Sequence, residues 1–175
     1  MRALDCILQA RVLTPLHCDV LAPYMATPPE VVERMLRLAA VGADDLVYDL
    51  GCGDGRILIA AACAGASGVG VDIESHWVEL SRLNANAAGV AERVRFEQAD
   101  ALSLDLRQAT VVVLYLVHWS VQRVLARVRS QCAPGTRVVS HSFPIELDGA
   151  RSEWVIDAEG QRRQIHLWTV PDARP

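Results

Sequence analysis

A chain of 175 residues fits a single domain, long enough to bury most of its apolar surface in one core. Hydrophobic residues make up 51% and charged residues 22%, a composition that excludes a disordered chain. The formal net charge is −4 with acids and bases interspersed, so the sequence offers no basic face for nucleic acid and no nucleic-acid partner is expected.

Residues 1–26 read as a lead-in and residues 27–175 as the domain proper. A short helix is predicted over residues 4–13, ended by Pro15. Asp5, Gln9 and Arg11 interrupt its apolar character, unlike the core of a signal peptide. No run along the chain approaches the ~20 apolar residues of a membrane span.

Thr27-Pro28-Pro29-Glu30 reads as a helix start, with Thr27 as N-cap, Pro28 at the first helical position and Glu30 completing a capping box. Val31, Val32, Met35, Leu36 and Ala39 then form one apolar stripe. Leu46-Val47-Tyr48-Asp49-Leu50 is a short buried strand. A glycine-rich turn over 51–55 opens an alanine-rich helix over 56–64, and Gly68-Val69-Gly70-Val71-Asp72 is a second strand. Ser75 is placed as the cap of a third helix that runs to Ala88 and is closed by Gly89. His76 and Trp77 are placed on that helix's surface.

Residues 94–97 make a third strand and 110–116 an apolar fourth. Ser120 is placed as the cap of the next helix, and Pro134-Gly135 stops it before a fifth strand over 137–140. Strands alternating with helices imply right-handed crossovers and an α/β domain, a mainly parallel sheet with helices on both faces. Runs at 153–157 and 164–170, parted by a stretch that begins Ala158-Glu159-Gly160, read as a terminal hairpin packed on the sheet through Trp154 and Trp168.

All the basic residues are arginine. The chain therefore offers no lysine side chain of its own for modification. Cys6, Cys18, Cys52, Cys63 and Cys132 are odd in number and scattered without a C-x-x-C pair. Neither a disulfide framework nor a metal site is expected, which suits a cytoplasmic location.

In open parallel sheets, ligands bind beyond the carboxyl ends of the strands. The first strand runs into Asp49-Leu50-Gly51-Cys52-Gly53-Asp54-Gly55, where glycines at alternate positions let the backbone pass close to a ligand and take up positive φ. The helix that follows offers free N–H groups and a partial positive charge. A dinucleotide turn would continue G-x-G-x-x-G, but its third glycine position is Arg56, which disfavours a nicotinamide oxidoreductase. The acidic Asp49 suits instead a ligand with an ammonium beside its carboxylate. Asp72, 17 residues after Gly55, stands where a carboxylate can accept a ribose diol. Ile73 follows it against the adenine face. Asp100-Ala101, after the third strand, can receive the adenine amino group.

These residues resemble the class I S-adenosylmethionine-dependent methyltransferases over about residues 27–170. The resemblance implies a Rossmann-like seven-stranded sheet of order 3-2-1-4-5-7-6, its seventh strand antiparallel, and S-adenosyl-L-methionine as cofactor. A narrower resemblance rests on Tyr24-Met25-Ala26-Thr27-Pro28-Pro29, on Tyr48 to Arg56, on Leu114-Tyr115-Leu116 and on Val138 to Pro144. These segments are similar to small bacterial relatives of the mitochondrial-type protein-lysine methyltransferases. That similarity implies lysine N-methylation, with Tyr24 and Thr27 folding over the cofactor's methionine end. His118-Trp119 departs from the turn usual in such relatives.

The cofactor site is therefore expected from Tyr24, Thr27, Asp49, Gly51, Gly53, Gly55, Asp72, Ile73, Asp100, Ala101 and Tyr115. Tyr115, His118 and His141 are the candidate catalytic residues, because in this fold strand four neighbours strand one and strand five ends at the same rim. No Asn/Asp-Pro-Pro-aromatic tetrapeptide closes strand four, which argues against amide and base nitrogens as acceptors. A protein lysine leads, a small-molecule acceptor is the alternative, and a non-catalytic cofactor-binding subunit is a third reading.

Overall fold

The computed structural model describes residues 25–116 and 118–172. Its elements are α1 (Pro29–Leu38), β1 (Leu46–Leu50), α2 (Arg56–Cys63), β2 (Ser67–Asp72), α3 (Ser75–Ala87), a 3₁₀ turn (Ala91–Arg93), β3 (Val94–Gln98), β4 (Val111–Leu114), α4 (His118–Gln131), β5 (Arg137–His141), β6 (Arg151–Ile156) and β7 (Arg162–Thr169). They form a seven-stranded sheet of order 3-2-1-4-5-7-6. β1 to β5 run parallel, and β7 lies antiparallel to both β5 and β6. The sheet is the one the resemblance implies.

Side chains alternate across a strand, so residue parity decides which layer each joins. Val47, Val111, Val113, Val139, Ile165 and Leu167 pack under α1, α2 and α3, while Tyr48, Leu50, Val112, Leu114, Val138 and Trp168 pack under α4. Valine dominates because a β-branched side chain fills a pleated surface covered on both sides. The amphipathic stripe of α1 buries Val31, Val32, Met35 and Leu36. Alanines let α2 lie close to the sheet, and the glycines of β2 leave room for Leu58. A β-carbon on Gly68 would come within 2.6 Å of the Leu58 side chain.

Several boundaries differ from the sequence expectation, each for a local reason. Thr27 is not the cap of α1. Pro28 takes that place with ψ 146, and the helix begins at Pro29 with no side-chain cap bond. A residue before proline is pushed out of the helical region, so the paired prolines delay the helix by one residue. Ser75 and Ser120 are likewise inside their helices, α3 being preceded by Glu74 and α4 beginning at His118. β4 stops at Leu114 because its neighbour β1 turns away at Gly51, whose N–H goes to the Val71 carbonyl at 2.9 Å.

The hairpin strands reach nearer to each other than expected. Asp157 ends β6 by accepting the Glu159 and Gln161 N–H groups in its own turn and pairing with Arg163. Trp168 is buried as foreseen, but Trp154 is 56% exposed beneath the Arg162 guanidinium, 4.3 Å from its ring centroid. Trp77, placed on the helix surface by the sequence reading, is buried. No helix among the described residues is long and apolar enough to cross a membrane.

Candidate active site

Asp49 on β1 pairs in register with Val113 on β4, and Val113 with Val139 on β5. These three share the α1–α2 face. Two residues further along, Tyr115 and His141 emerge on that same face, with ring centroids 4.2 Å apart. The His141 Nδ1 lies 3.3 Å from the hydroxyl of Thr27, which leads into α1. Three segments far apart in sequence thus meet at the carboxyl end of the sheet.

Beside them, Gly51, Gly53 and Gly55 hold φ values of 89°, 51° and 80°. This left-handed run is open to glycine and strained for other residues. It is pinned from both sides. The Gly53 N–H donates to Asp72 Oδ2 at 3.0 Å, and the Glu74 N–H donates to Asp72 Oδ1 at 3.1 Å. At the other side Arg56 grips the fully buried Asp54 carboxylate, Nη2 to Oδ2 being 2.6 Å, and its Nη1 donates to the Thr27 carbonyl at 3.1 Å. Asn84 of α3 donates to the Asp54 carbonyl at 2.9 Å. Arg56, which the sequence offers only as a reason against a dinucleotide, is in the fold a clamp between the turn and the lead into α1.

A cleft opens there, lined by Met25, Thr27, Asp49, Gly51, Cys52, Asp54, Arg56, Ile57 and Tyr115. Asp49 is its distinctive group. The carboxyl is buried, and Oδ2 has no hydrogen-bond partner among the described residues. Burial, helped by the nearby Asp72 and Asp54, pushes its pKa up to about 8. Burial, helped by Asp49 and Asp72, pushes the Cys52 thiol up, so it stays protonated. His141 is driven the other way, to about 4, by burial and the positive charge of Arg163, and is neutral at pH 7.

A buried carboxyl on the cleft wall is matched to the ammonium of an amino acid head, and the glycine turn beside it lets that head lie close against the backbone. S-adenosylmethionine carries such a head. The donor set therefore fits the cofactor's amino acid head, and Asp72 and the exposed Ile73 stand one strand away.

The structure brings Thr27, Asp49, Gly51 and Tyr115 into one cleft and ties Gly53 to Asp72. Ile73, Asp100 and Ala101 lie outside the cleft lining, past the ends of β2 and β3. Asp100 is exposed and its Oδ1 accepts the Leu102 N–H at 2.8 Å, so one oxygen already serves its own turn. His141 sits behind Thr27 and Tyr115, not in the lining. Tyr24 lies outside the described residues, as does the His118 side chain. Met25, Cys52, Asp54, Arg56 and Ile57 were missed as site residues. The Asp-x-Arg spacing of Asp54 and Arg56 is the one local hint of their pairing.

Comparison with known proteins gives one picture. Residues 49–148 match the family model for the ANTKMT methyltransferase domain. The chain is 40% identical to a protein-lysine N-methyltransferase of Saccharolobus islandicus, across 85% of this chain and 93% of that one. It is 30% identical to the adenine nucleotide translocase lysine N-methyltransferase of Mus musculus, across 90% of this chain and 71% of that one. Among solved structures it resembles an RNA methyltransferase from Salinibacter ruber in complex with S-adenosyl-L-homocysteine. That likeness has a TM-score of 0.78 and 44% identity, over 86% of this chain and 97% of that one.

Proposed function

The chain belongs to the ANTKMT methyltransferase domain family and is an S-adenosylmethionine-dependent methyltransferase, and from that premise we propose that its acceptor is the ε-amine of a lysine in another protein. The observation that carries the proposal is the 40% identity, over nearly the whole of both chains, to a protein-lysine N-methyltransferase.

The chain's own residues divide the work. Asp49 Oδ2 takes the ammonium of the cofactor's amino acid head, and the Gly51–Gly55 turn, bare of side chains at its glycines, lets the carboxylate lie close against the backbone. Asp72 receives the ribose while keeping the turn in place, Ile73 covers the base, and Asp100 with Ala101 bounds its far edge. Thr27, with Tyr24 before it, closes over the methionine end. When bound, the cofactor supplies a methyl group on a positively charged sulfur that a neutral amine can take by in-line displacement.

A free lysine is almost wholly protonated near neutrality, with a pKa of about 10.4. The amine must give its proton to water before it attacks, and partial desolvation against the cleft favours its neutral form. Tyr115 lines the cleft past the end of β4, and His118 follows it as the first residue of α4. Their role is to desolvate and aim the amine.

Two measurements test this. S-adenosylhomocysteine should bind the purified chain in calorimetry, and absence of binding at millimolar ligand would reject the cofactor site. With tritiated cofactor and a cell extract, label should enter the protein fraction and appear as methyl-lysine after hydrolysis. The chain has no lysine, so its own lysine side chains contribute no background. Label confined to RNA, the acceptor class in the Salinibacter ruber description, or confined to small molecules would overturn the lysine proposal.

A further inference from the structure

We propose that His141 is a positioning residue that fixes the two walls of the cleft, Thr27 and Tyr115, and takes no proton from the acceptor. The inference rests on the cofactor-site reading above and goes beyond it.

Geometry is the first support. His141 is completely buried at the end of β5 and does not line the cleft. Both of its ring partners do. Nδ1 meets the Thr27 hydroxyl at 3.3 Å, and the imidazole lies against the Tyr115 ring at 4.2 Å. Thr27 is held at a second point, its carbonyl receiving Arg56 Nη1 at 3.1 Å. The residue in front of α1 is therefore clasped from β5 through its hydroxyl and from α2 through its backbone.

Proton bookkeeping is the second support. Thr27 is buried, and among the described hydrogen bonds its hydroxyl proton has one destination, the lone pair of Nδ1. A buried hydroxyl donor left unmade is costly, so Nδ1 accepts and the ring hydrogen sits on Nε2. With its lone pair engaged, the ring has no free basic nitrogen for an incoming ammonium. Among the described residues Nε2 finds no partner. The fold tolerates that orphan polar atom to keep an acceptor at Nδ1, where a purely apolar filler would avoid both.

Charge is the third. The groups whose charge reaches the ring are Arg163 and His166 of β7, and Arg163 is cationic. Burial and that cation both oppose an imidazolium. A general base poised near the working pH needs the opposite surroundings. The turn after His141 keeps the ring in place: the Phe143 N–H closes onto the His141 carbonyl at 2.8 Å around Ser142 at φ 66°.

The experiment uses H141N, H141A, T27V and H141A/T27V in the full chain, each first shown folded by thermal melting. Asparagine keeps a carbonyl oxygen near the Nδ1 position and cannot act as a base. S-adenosylhomocysteine affinity is measured by calorimetry. Transfer from tritiated cofactor to extract protein is measured between pH 6 and 9. H141N should keep affinity and kcat within about threefold with the wild-type pH profile, while H141A should raise the dissociation constant about tenfold, the scale of one lost hydrogen bond. The double variant should bind no more than about twofold worse than the weaker single variant, because both changes break one link.

A loss of 10²-fold or more in kcat for H141N with affinity retained, or the loss of one limb of its pH profile, would make His141 a base and overturn the proposal. So would effects of H141A and T27V that multiply. Should H141A fail to fold, H141N/T27V replaces the double variant and must bind markedly worse than H141N alone. Wild-type protein that binds no S-adenosylhomocysteine would reject the cofactor site itself, a distinct result.

Discussion

The ends of β1 and β2 and the ends of β4 and β5 are two halves of one rim, built on different principles. In the first half the working groups are a bare glycine turn and short acids. They are fixed within the Asp49–Gly55 stretch and by bonds to its near neighbours, from Gly53 to Asp72 at 3.0 Å, from Gly51 to Val71 and from Arg56 to Asp54. In the second half they are rings, Tyr115 and His141, which owe their place to each other and to Thr27, 114 residues from its histidine partner. A half made of local backbone geometry is brittle to a single side chain added. A half made of packed side chains yields gradually, because each neighbour has another support.

The largest expected break is at Gly55. Its φ of 80° is strained for any β-carbon, and an added one would stand 2.8 Å from Ser81 Cβ and 2.9 Å from the Phe96 ring. Gly55→Val should cost about 3–5 kcal/mol from backbone strain and overpacking together, read by urea unfolding. Stability within 1 kcal/mol of wild type would refute the brittle-turn view.

Asp49→Asn comes next and separates binding from folding. It should weaken S-adenosylhomocysteine by roughly 10–100-fold, the scale of a hydrogen bond between charged groups. The ligand-free protein should behave oppositely. The folded pKa of Asp49, about 8, lies above its ordinary 3.8. The folded state therefore binds the proton more tightly than the unfolded chain. Stability from this group is present at low pH and declines as pH rises from about 4 to about 8. Asp49→Asn should flatten that decline in melting curves taken across the range. An unchanged pH dependence would show that the carboxyl is not buried as described.

Asp72→Ala should weaken cofactor-product binding by about 1.5–3 kcal/mol, because it removes the ribose acceptor and frees the Gly53 and Glu74 N–H groups together. Calorimetry would expose an error if affinity were unchanged.

His141 makes a smaller contribution on the ring side. Its folded pKa, about 4, lies below the ordinary 6.5, so the unfolded chain binds the proton better. The stability due to the neutral ring is complete above about 6.5 and fades as pH falls toward about 4. H141N should lose that acid-side slope. The smallest effect is expected far from both halves: Ile156→Ala, at 67% exposure, should shift stability by less than about 0.5 kcal/mol and leave cofactor affinity unchanged.

How much of this was legible in advance divides along the same line. The glycine turn, Asp49 and Asp72 are readable because their chemistry lies in contiguous residues or at a fixed strand-end spacing. Thr27 was read as a helix cap because Thr-Pro-Pro-Glu carries the local signature of one. Its hydroxyl instead goes to a histidine on the fifth strand, a partner that no local pattern announces. Arg56 was read by what it excludes, and its bridge from Asp54 to the Thr27 carbonyl required α1 and α2 to be packed together. Trp77 and Trp154 exchanged their expected places, since solvent exposure on a helix or an edge strand depends on which neighbour covers it.

Alternating apolar strands, an amphipathic α1, a glycine turn with its two acids and a closing hairpin were enough, from sequence alone, for the α/β sheet, its strand order by resemblance and the cofactor end of the site. Those features follow from backbone sterics and short periodicities, which act over a few residues. Which rings face the cleft, which stands behind it, and what holds Thr27 were decided by the fold. They depend on strand register and helix packing, which set the face each side chain joins only after distant segments meet.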